Sequence, residues 1–380
     1  MNGPLTILHV SEPGVDGVFT VVERLADQMI ARGHKIHLAY STRRGSPALT
    51  ALVERVKNAG GEALDLKVGN APAPRDALAL FRLWRFVRRV RPQIIHSHSS
   101  KAGVLGRALA LLGIGARFFY TPHAYYGLVA TAGRKTAFFN AIERFFGRVG
   151  TTITCSTDEK RFAVSTLKLP ASRTLVLFNS ADCHRFTPAD ATRRAAARRE
   201  FGLADSAVVL GTLGRVCFQK DPQTLYHAVA RAMSHHPELH LLHVGRGELD
   251  GEIARLAGQL GLGPRLTRLA FLAEPEKFYA ACDAFILPSR YEGLPISAIE
   301  ALASDLPVVF SRGPGFADFL NLGLSHCWTA EAEDAEGFAQ AIEAWLGDRA
   351  VGRPSNHRVL ASEHFETNRC VERMLAIYRG

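Results

Sequence analysis

Short apolar runs rich in valine, isoleucine and leucine alternate with longer amphipathic stretches from one end of the chain to the other. Repeated strand–helix units leave this pattern, because neighbouring parallel strands need a long crossover and a helix is its usual form. In the first half the strand candidates are Leu5 to Val10, Lys35 to Tyr40, Gln93 to His98, Arg117 to Thr121 and Thr151 to Cys155. In the second they are Thr174 to Phe178, Ala207 to Leu213, Leu239 to Val244, Thr267 to Leu272, Ala284 to Leu287 and Pro307 to Phe310. A chain of 380 residues outgrows a single core, so the pattern predicts an α/β protein with two doubly wound, Rossmann-like sheets.

A boundary is expected between about residues 170 and 190, where Pro170, Asn179 and Pro188 interrupt the alternation, and a cleft is expected with it. Charge changes sign at the same place. Residues 1–178 hold 25 Lys and Arg against 11 Asp and Glu, and the remainder hold 21 against 25. A basic half can face nucleic acid, an anionic membrane or a phosphorylated substrate. The charge is not gathered in any nucleic-acid-binding module, so no nucleic-acid partner is expected. Residues 81–91 carry five arginines with Phe81, Trp84 and Phe86, and residues 138–148 carry Phe138, Phe139, Phe145 and Phe146 with Arg144 and Arg148. These stretches read either as basic amphipathic helices for an anionic bilayer surface or as core aromatics beside solvated arginines.

Met1 to Val10 runs straight into a strand-like segment without the pattern of a secretory leader. Apolar runs such as Ala108 to Ile114 fall short of the ~20 residues that span a bilayer. The expectation is a cytoplasmic protein, soluble or peripheral on the inner face of the membrane. Six cysteines without a Cys-x-x-Cys pair read as reduced thiols. His96 with His98 and the adjacent His235 and His236 are the only tempting metal-ligand spacings, and no metal is expected.

Two segments carry chemistry. After the first strand candidate come Gly14 and Gly17, then a stretch with helical spacing of Val21, Leu25 and Met29. Strand, glycine turn and helix suit an oxyanion, since the helix start offers unpaired N–H groups, although a plain structural turn fits the same residues. The spacing lacks the Gly-x-Gly-x-x-Gly dinucleotide fingerprint. In the second half, Pro288-Ser289-Arg290-Tyr291-Glu292-Gly293-Leu294-Pro295 turns after a buried strand and opens a helix bearing Glu300. Both carboxylates can then face one ligand, as acceptors for sugar or ribose hydroxyls.

The Glu-x7-Glu spacing of Glu292 and Glu300, following Asp283-Ala284-Phe285-Ile286-Leu287-Pro288-Ser289, resembles the signature of retaining family-4 glycosyltransferases. Other features resemble that family in order. They are His96-Ser97-His98 through Gly103, Thr121-Pro122-His123, Gly214-Arg215 with Lys220-Asp221, and His243-Val244-Gly245-Arg246-Gly247-Glu248-Leu249. Asn179-Ser180-Ala181-Asp182 departs from the usual Asn-Gly-Val-Asp at two positions.

The resemblance implies a GT-B fold whose two Rossmann-like domains face each other. Residues 1–178 would form the acceptor side, with a C-terminal helix at about 360–380 packing back on it, and 179–359 would bind a nucleotide sugar. Arg215 and Lys220 would clamp the donor diphosphate, with Gly14, Gly17, Gly214 and Gly245 allowing close approach. Glu292 and the backbone at Gly293, Leu294 and Pro295 would hold the transferred sugar, and Glu300 the ribose. His98, Lys101, His123 and Tyr125 would lie on the acceptor side, His123 also bonding a sugar hydroxyl near the reacting carbon. The implied reaction retains anomeric configuration, needs no cofactor or metal, and delivers a sugar to a glycan or lipid-linked glycan acceptor in surface-polysaccharide synthesis. Alternatives are another GT-B enzyme, such as a nucleotide-sugar 2-epimerase that turns over without an acceptor, and a non-catalytic sugar-nucleotide binder.

Overall fold

The computed structural model describes residues 3–69, 71–128, 133–349 and 354–380. The chain divides into two compact units, Met1–Asn179 with Thr367–Gly380, and Ser180–Glu366. The first is built on seven strands, β1 (Thr6–Ser11), β2 (Lys35–Tyr40), β3 (Ala63–Asp65), β4 (Ile94–His98), β5 (Arg117–Thr121), β6 (Thr151–Thr154) and β7 (Thr174–Val176). They form one parallel sheet in the order β3-β2-β1-β4-β5-β6-β7. The second unit has six, β8 (Val208–Leu213), β9 (Leu239–Val244), β10 (Leu266–Leu269), β11 (Ala284–Leu287), β12 (Val308–Ser311) and β13 (Cys327–Ala330). Their parallel order is β10-β9-β8-β11-β12-β13.

In each sheet the chain first winds one way and then restarts beside its first strand, so the order reverses between β1 and β4 and between β8 and β11. Loops leaving the carboxyl ends of those strands diverge and leave room for a ligand. The strands are apolar on both faces because helices cover both. In β1, Ile7 belongs to one core cluster and Leu8 to another, as alternate side chains must.

Three details differ from the sequence reading. β3 and β13 are additional edge strands, and Thr174 opens β7 of the first sheet rather than a strand of the second. The C-terminal segment is two helices rather than one. His357–Phe365 packs on the helix Ile296–Ala303 inside the second unit, whereas Thr367–Arg379 packs on Asp16–Ala31 inside the first. Glu366 between them is extended, with φ −60° and ψ 132°, which ends one helix before the next begins.

The helix Arg134–Phe146 is held in an unusual way: the one residue it buries is Glu143. Glu143 Oε2 accepts from Arg107 Nη2 at 2.9 Å and Oε1 from the Tyr120 hydroxyl at 2.9 Å, and the Arg107 guanidinium lies 3.9 Å from the Tyr120 ring centroid. Gly103 permits this packing, since a Cβ there would stand 2.3 Å from the Tyr120 ring. Among the described residues no helix is long and apolar enough to cross a membrane. Arg107→Leu removes the partner of a buried carboxylate and should cost about 3 kcal/mol or more of unfolding free energy, read by urea denaturation. A loss below about 1 kcal/mol would show that the pair does not anchor this helix.

Candidate functional site

In the second unit, the loop after β8 and the loop after β11 leave the two strands where the order reverses. The first makes a short turn, Phe218–Lys220, and ends at Asp221, which has φ 48°. Asp221 caps the helix Pro222–His235: its carboxylate accepts from Thr224 N at 3.4 Å and from the Thr224 hydroxyl at 2.7 Å. The second loop is laid across the first. Arg290 N donates to Gln219 O at 2.9 Å, Arg290 Nη1 to Phe218 O at 2.7 Å, and Arg290 Nη2 pairs with Asp221 Oδ1 at 3.1 Å.

This bracing sets the central contact. Lys220 Nζ lies 2.6 Å from Glu292 Oε1, while Gln219 Nε2 donates at 3.1 Å both to Glu292 Oε2 and to Tyr291 O. Both carboxylate oxygens are therefore held, and Glu292 is buried. Arg215 is more exposed and pairs with Glu248 at 3.2 Å. Gly214, Arg215, Lys220, Pro222 and His243 line one small crevice at the ends of β8 and β9.

The glycines here are required by contact. Gly245 has φ 149°, and a Cβ on it would sit 1.8 Å from the carbonyl oxygen of Gly214. A Cβ on Gly247 would meet Val216 O at 2.2 Å, so the loops after β8 and β9 run backbone against backbone. Gly293, Leu294 and Pro295 are buried and lead into the helix Ile296–Ala303. Glu300, one turn further on, is buried, with the Tyr279 hydroxyl 3.0 Å from its Oε2. The structure thus gathers Arg215, Lys220 and Glu292 at one strand end and sets Glu300 on the helix that follows.

In the first unit, Gly14 N donates to Arg44 O at 3.0 Å, and a Cβ there would meet Leu49 at 2.5 Å and Arg44 O at 2.7 Å. Packing alone therefore requires Gly14. Gly17 is exposed in the first turn of the helix Asp16–Ala31. The β1–β4 register sets His9 beside His96, and His98 shares a face with His96 two residues on. A connected row follows: His9 Nδ1 is 3.1 Å from His98 Nε2, His98 Nδ1 is 3.2 Å from His123 Nε2, and His123 Nδ1 is 3.5 Å from Cys155 Sγ. His96 is held separately, by the Tyr378 hydroxyl at 2.6 Å and Thr121 Oγ1 at 2.9 Å. Burial lowers the pKa of His9 to about 4 and of His123 to about 3, and pushes His96 and His98 well below the ordinary range. All four imidazoles are neutral at neutral pH.

Of the residues expected on the acceptor side, His98 and Tyr125 are buried and Lys101 is held in an ion pair. His98 is fully buried with a partner for each ring nitrogen. Tyr125 is packed in a cluster with Tyr120, Ala163, Leu167 and Leu169. Lys101 donates to Ala71 O and pairs with Asp76 at 2.9 Å, tying two helix starts together. Residues that sequence reasoning passed over are His9, Gln219, Cys155 and Glu159. The Asp221-Pro222 pair was a readable helix start that would have fixed the Lys220 turn.

Comparison with known proteins agrees with this architecture. Residues 15–185 match the model of Glycosyltransferase Family 4, and residues 193–360 match that of Glycosyl transferases group 1. The chain is 26% identical to an Escherichia coli UDP-Gal:alpha-D-GlcNAc-diphosphoundecaprenol alpha-1,3-galactosyltransferase over 63% of this chain and 62% of that protein. It therefore spans less than two thirds of that relative's length. It is 21% identical to the putative glycosyltransferase EpsD of Bacillus subtilis strain 168, over 83% of this chain and 84% of that one. Among solved structures, Anabaena Alr3699/HepE in complex with UDP-glucose superposes with a TM-score of 0.82 over 98% of both chains at 19% identity. The chain belongs to the family-4 glycosyltransferases and has their GT-B fold of two parallel-sheet α/β domains.

His9, His96 and His98 bring three ring nitrogens within 4.8 Å of one another, close enough to suggest a cation site. Yet both nitrogens of His96 and of His98 have protein partners, and only His9 Nε2 is buried without one. Binding a metal would break several of these bonds to form three. Thermal unfolding should accordingly show one Tm with chelator and with added zinc. A zinc-dependent rise of several degrees would reveal a true metal centre.

Proposed function

We propose that this chain is a retaining glycosyltransferase that moves a sugar from a nucleoside diphosphate sugar to a lipid-linked glycan. The observation that carries the reading is the convergence of Lys220 and Glu292 at the carboxyl ends of β8 and β11, where the sheet order reverses, with Arg215 lining the same crevice as Lys220. In this reading, donor binding exchanges partners. The diphosphate takes Lys220 from Glu292, and the freed carboxylate, still steadied by Gln219, accepts from hydroxyls of the transferred sugar.

The chemistry needs positive charge in one place. As the bond from the anomeric carbon to the diphosphate breaks, negative charge grows on the leaving oxygen, and fixed cations from Arg215 and Lys220 stabilise it. No metal is required for that role. The acceptor oxygen bonds to the anomeric carbon on the face the diphosphate leaves, and its proton passes to the departing phosphate oxygen, so configuration is kept. Glu300 accepts from the ribose. His123 meets a sugar hydroxyl, and its 3.5 Å thiol contact is the weakest bond such a hydroxyl would replace.

A lipid-linked acceptor suits the surface of the first unit. Phe81, Phe138 and Phe145 are each more than half exposed. Around them, Arg85, Arg88, Arg134, Arg144 and Arg148 are exposed on the helices Arg75–Val90 and Arg134–Phe146 and the turn after the latter. Apolar rings and cations on the same helices suit an anionic bilayer, which supports a peripheral location on the inner membrane face as part of the proposal. The E. coli relative named above acts on a diphosphoundecaprenol-linked substrate by its name, which supports the same acceptor class.

A thermal-shift screen against UDP, GDP and ADP sugars identifies the donor, and stabilisation by none of them would sink the proposal. Lys220→Ala and Glu300→Ala each remove a charged hydrogen-bonding partner and should weaken donor binding by about ten- to a hundredfold by calorimetry, with the fold retained. Unchanged affinity in both would refute the assignment of those roles. Sedimentation with anionic liposomes should fall as salt rises, and equal binding to neutral liposomes would contradict the membrane reading.

A further inference from the structure

The turn after β5 is held in a conformation its residues do not favour. His123 has φ 57° and Ala124 has φ 87°, two consecutive non-glycine residues in the left-handed region. Such strain persists only where the surroundings impose it. Here the restraint is Glu159, from the first turn of the helix Thr157–Ser165, whose side chain is fully buried. Its Oε1 accepts from Ala124 N at 2.6 Å and its Oε2 from Cys155 N at 2.7 Å. Cys155 in turn sets its sulfur against His123, so one carboxylate governs the main chain of the turn and a neighbour of its imidazole. The helix start is fixed as well, since Glu159 N donates to the Ser156 hydroxyl at 3.2 Å.

We propose that Glu159 is a positioning residue for sugar transfer, its ionised carboxylate holding the His123 turn through one oxygen on Ala124 N–H and the other on Cys155 N–H. This rests on the transferase reading of His123. An ionised carboxylate accepts at both oxygens, whereas a carboxylic acid points a proton from one of them. Protonation therefore sets donor against donor at Ala124 or at Cys155 and releases one restraint. A glutamine at this position would do the same at every pH.

The surroundings make Glu159 the group that changes charge near neutrality. Burial pushes its carboxyl up to about 7, against the pull of the N–H groups of Cys155, Ala124 and Tyr125, with Glu143 adding to the rise. From the strand and turn side, Tyr120 and Tyr125 are raised well above their usual range and His123 is lowered to about 3, each by burial. Burial also raises the Cys155 thiol. From the helix Arg134–Phe146, Glu143 is matched by Arg107.

The test compares the wild type with Glu159→Gln across neutral pH, reading kcat and donor KM, together with the Ala124 amide resonance in alanine-15N-labelled protein, assigned through Ala124→Gly. In the wild type the amide shift should show an inflection near neutrality. On its acidic side kcat should fall by roughly tenfold or more, on the scale of a small misplacement, with donor KM unchanged. Glu159→Gln should show the low kcat at all pH and no amide inflection. A wild-type amide that does not titrate overturns the proposal without need of any variant, and so does a Gln variant that keeps the wild-type pH profile. Absence of turnover with every donor would sink the transferase reading instead, and the amide titration would still decide whether Glu159 sets the turn.

Discussion

One ion pair in the second unit joins two loops that are distant in sequence. Lys220 and Glu292 stand 72 residues apart, yet Nζ and Oε1 are 2.6 Å apart. Strand order explains the meeting, because β8 and β11 are neighbours only through the reversal of winding, and whatever leaves their carboxyl ends must meet. A partly buried pair of this kind adds little net stability, since desolvation offsets much of the attraction. Its value lies in keeping a cation and an anion poised. Gln219 and Arg290 hold the two loops in register.

The first unit solves a different problem at its equivalent reversal. Its strand ends carry imidazoles that burial holds neutral, beside the buried Glu12, which pairs with Arg44 at 3.2 Å. A row of neutral histidines can orient hydrogen bonds but cannot stabilise an anion by charge. The cationic excess of this half sits elsewhere, on helices such as Arg75–Val90 whose outward face carries Arg85, Arg88 and Arg89.

Much of this was legible in the residues themselves. Period and spacing mark the central strands because those are long and apolar on both faces, whereas Glu292 and Glu300 stand out through the resemblance of their Glu-x7-Glu spacing to a family signature. β3 and β13 escaped because edge strands of three and four residues, half covered, leave no run to detect. The histidine row escaped for another reason. His9 reaches His98 only through the β1–β4 register, and His123 reaches Cys155 across two strands, so no local spacing records either contact. The burial of Tyr125 in a cluster with Tyr120, Ala163, Leu167 and Leu169 is likewise not recorded in any local spacing. Glu159 looks in sequence like the last member of a Ser-x-x-Glu helix cap, and only coordinates reveal that its carboxylate turns away to Ala124 and Cys155.

One winding order therefore supports two kinds of strand end, and the difference follows from what each can keep charged. Beyond β8, Lys220 keeps some solvent access and pairs with Glu292. At the end of β4 His98 is buried among the rings of His9, His96 and His123, so its cationic form is suppressed. In the first unit a buried carboxylate, Glu159, instead holds the main chain of the turn at His123 and Ala124.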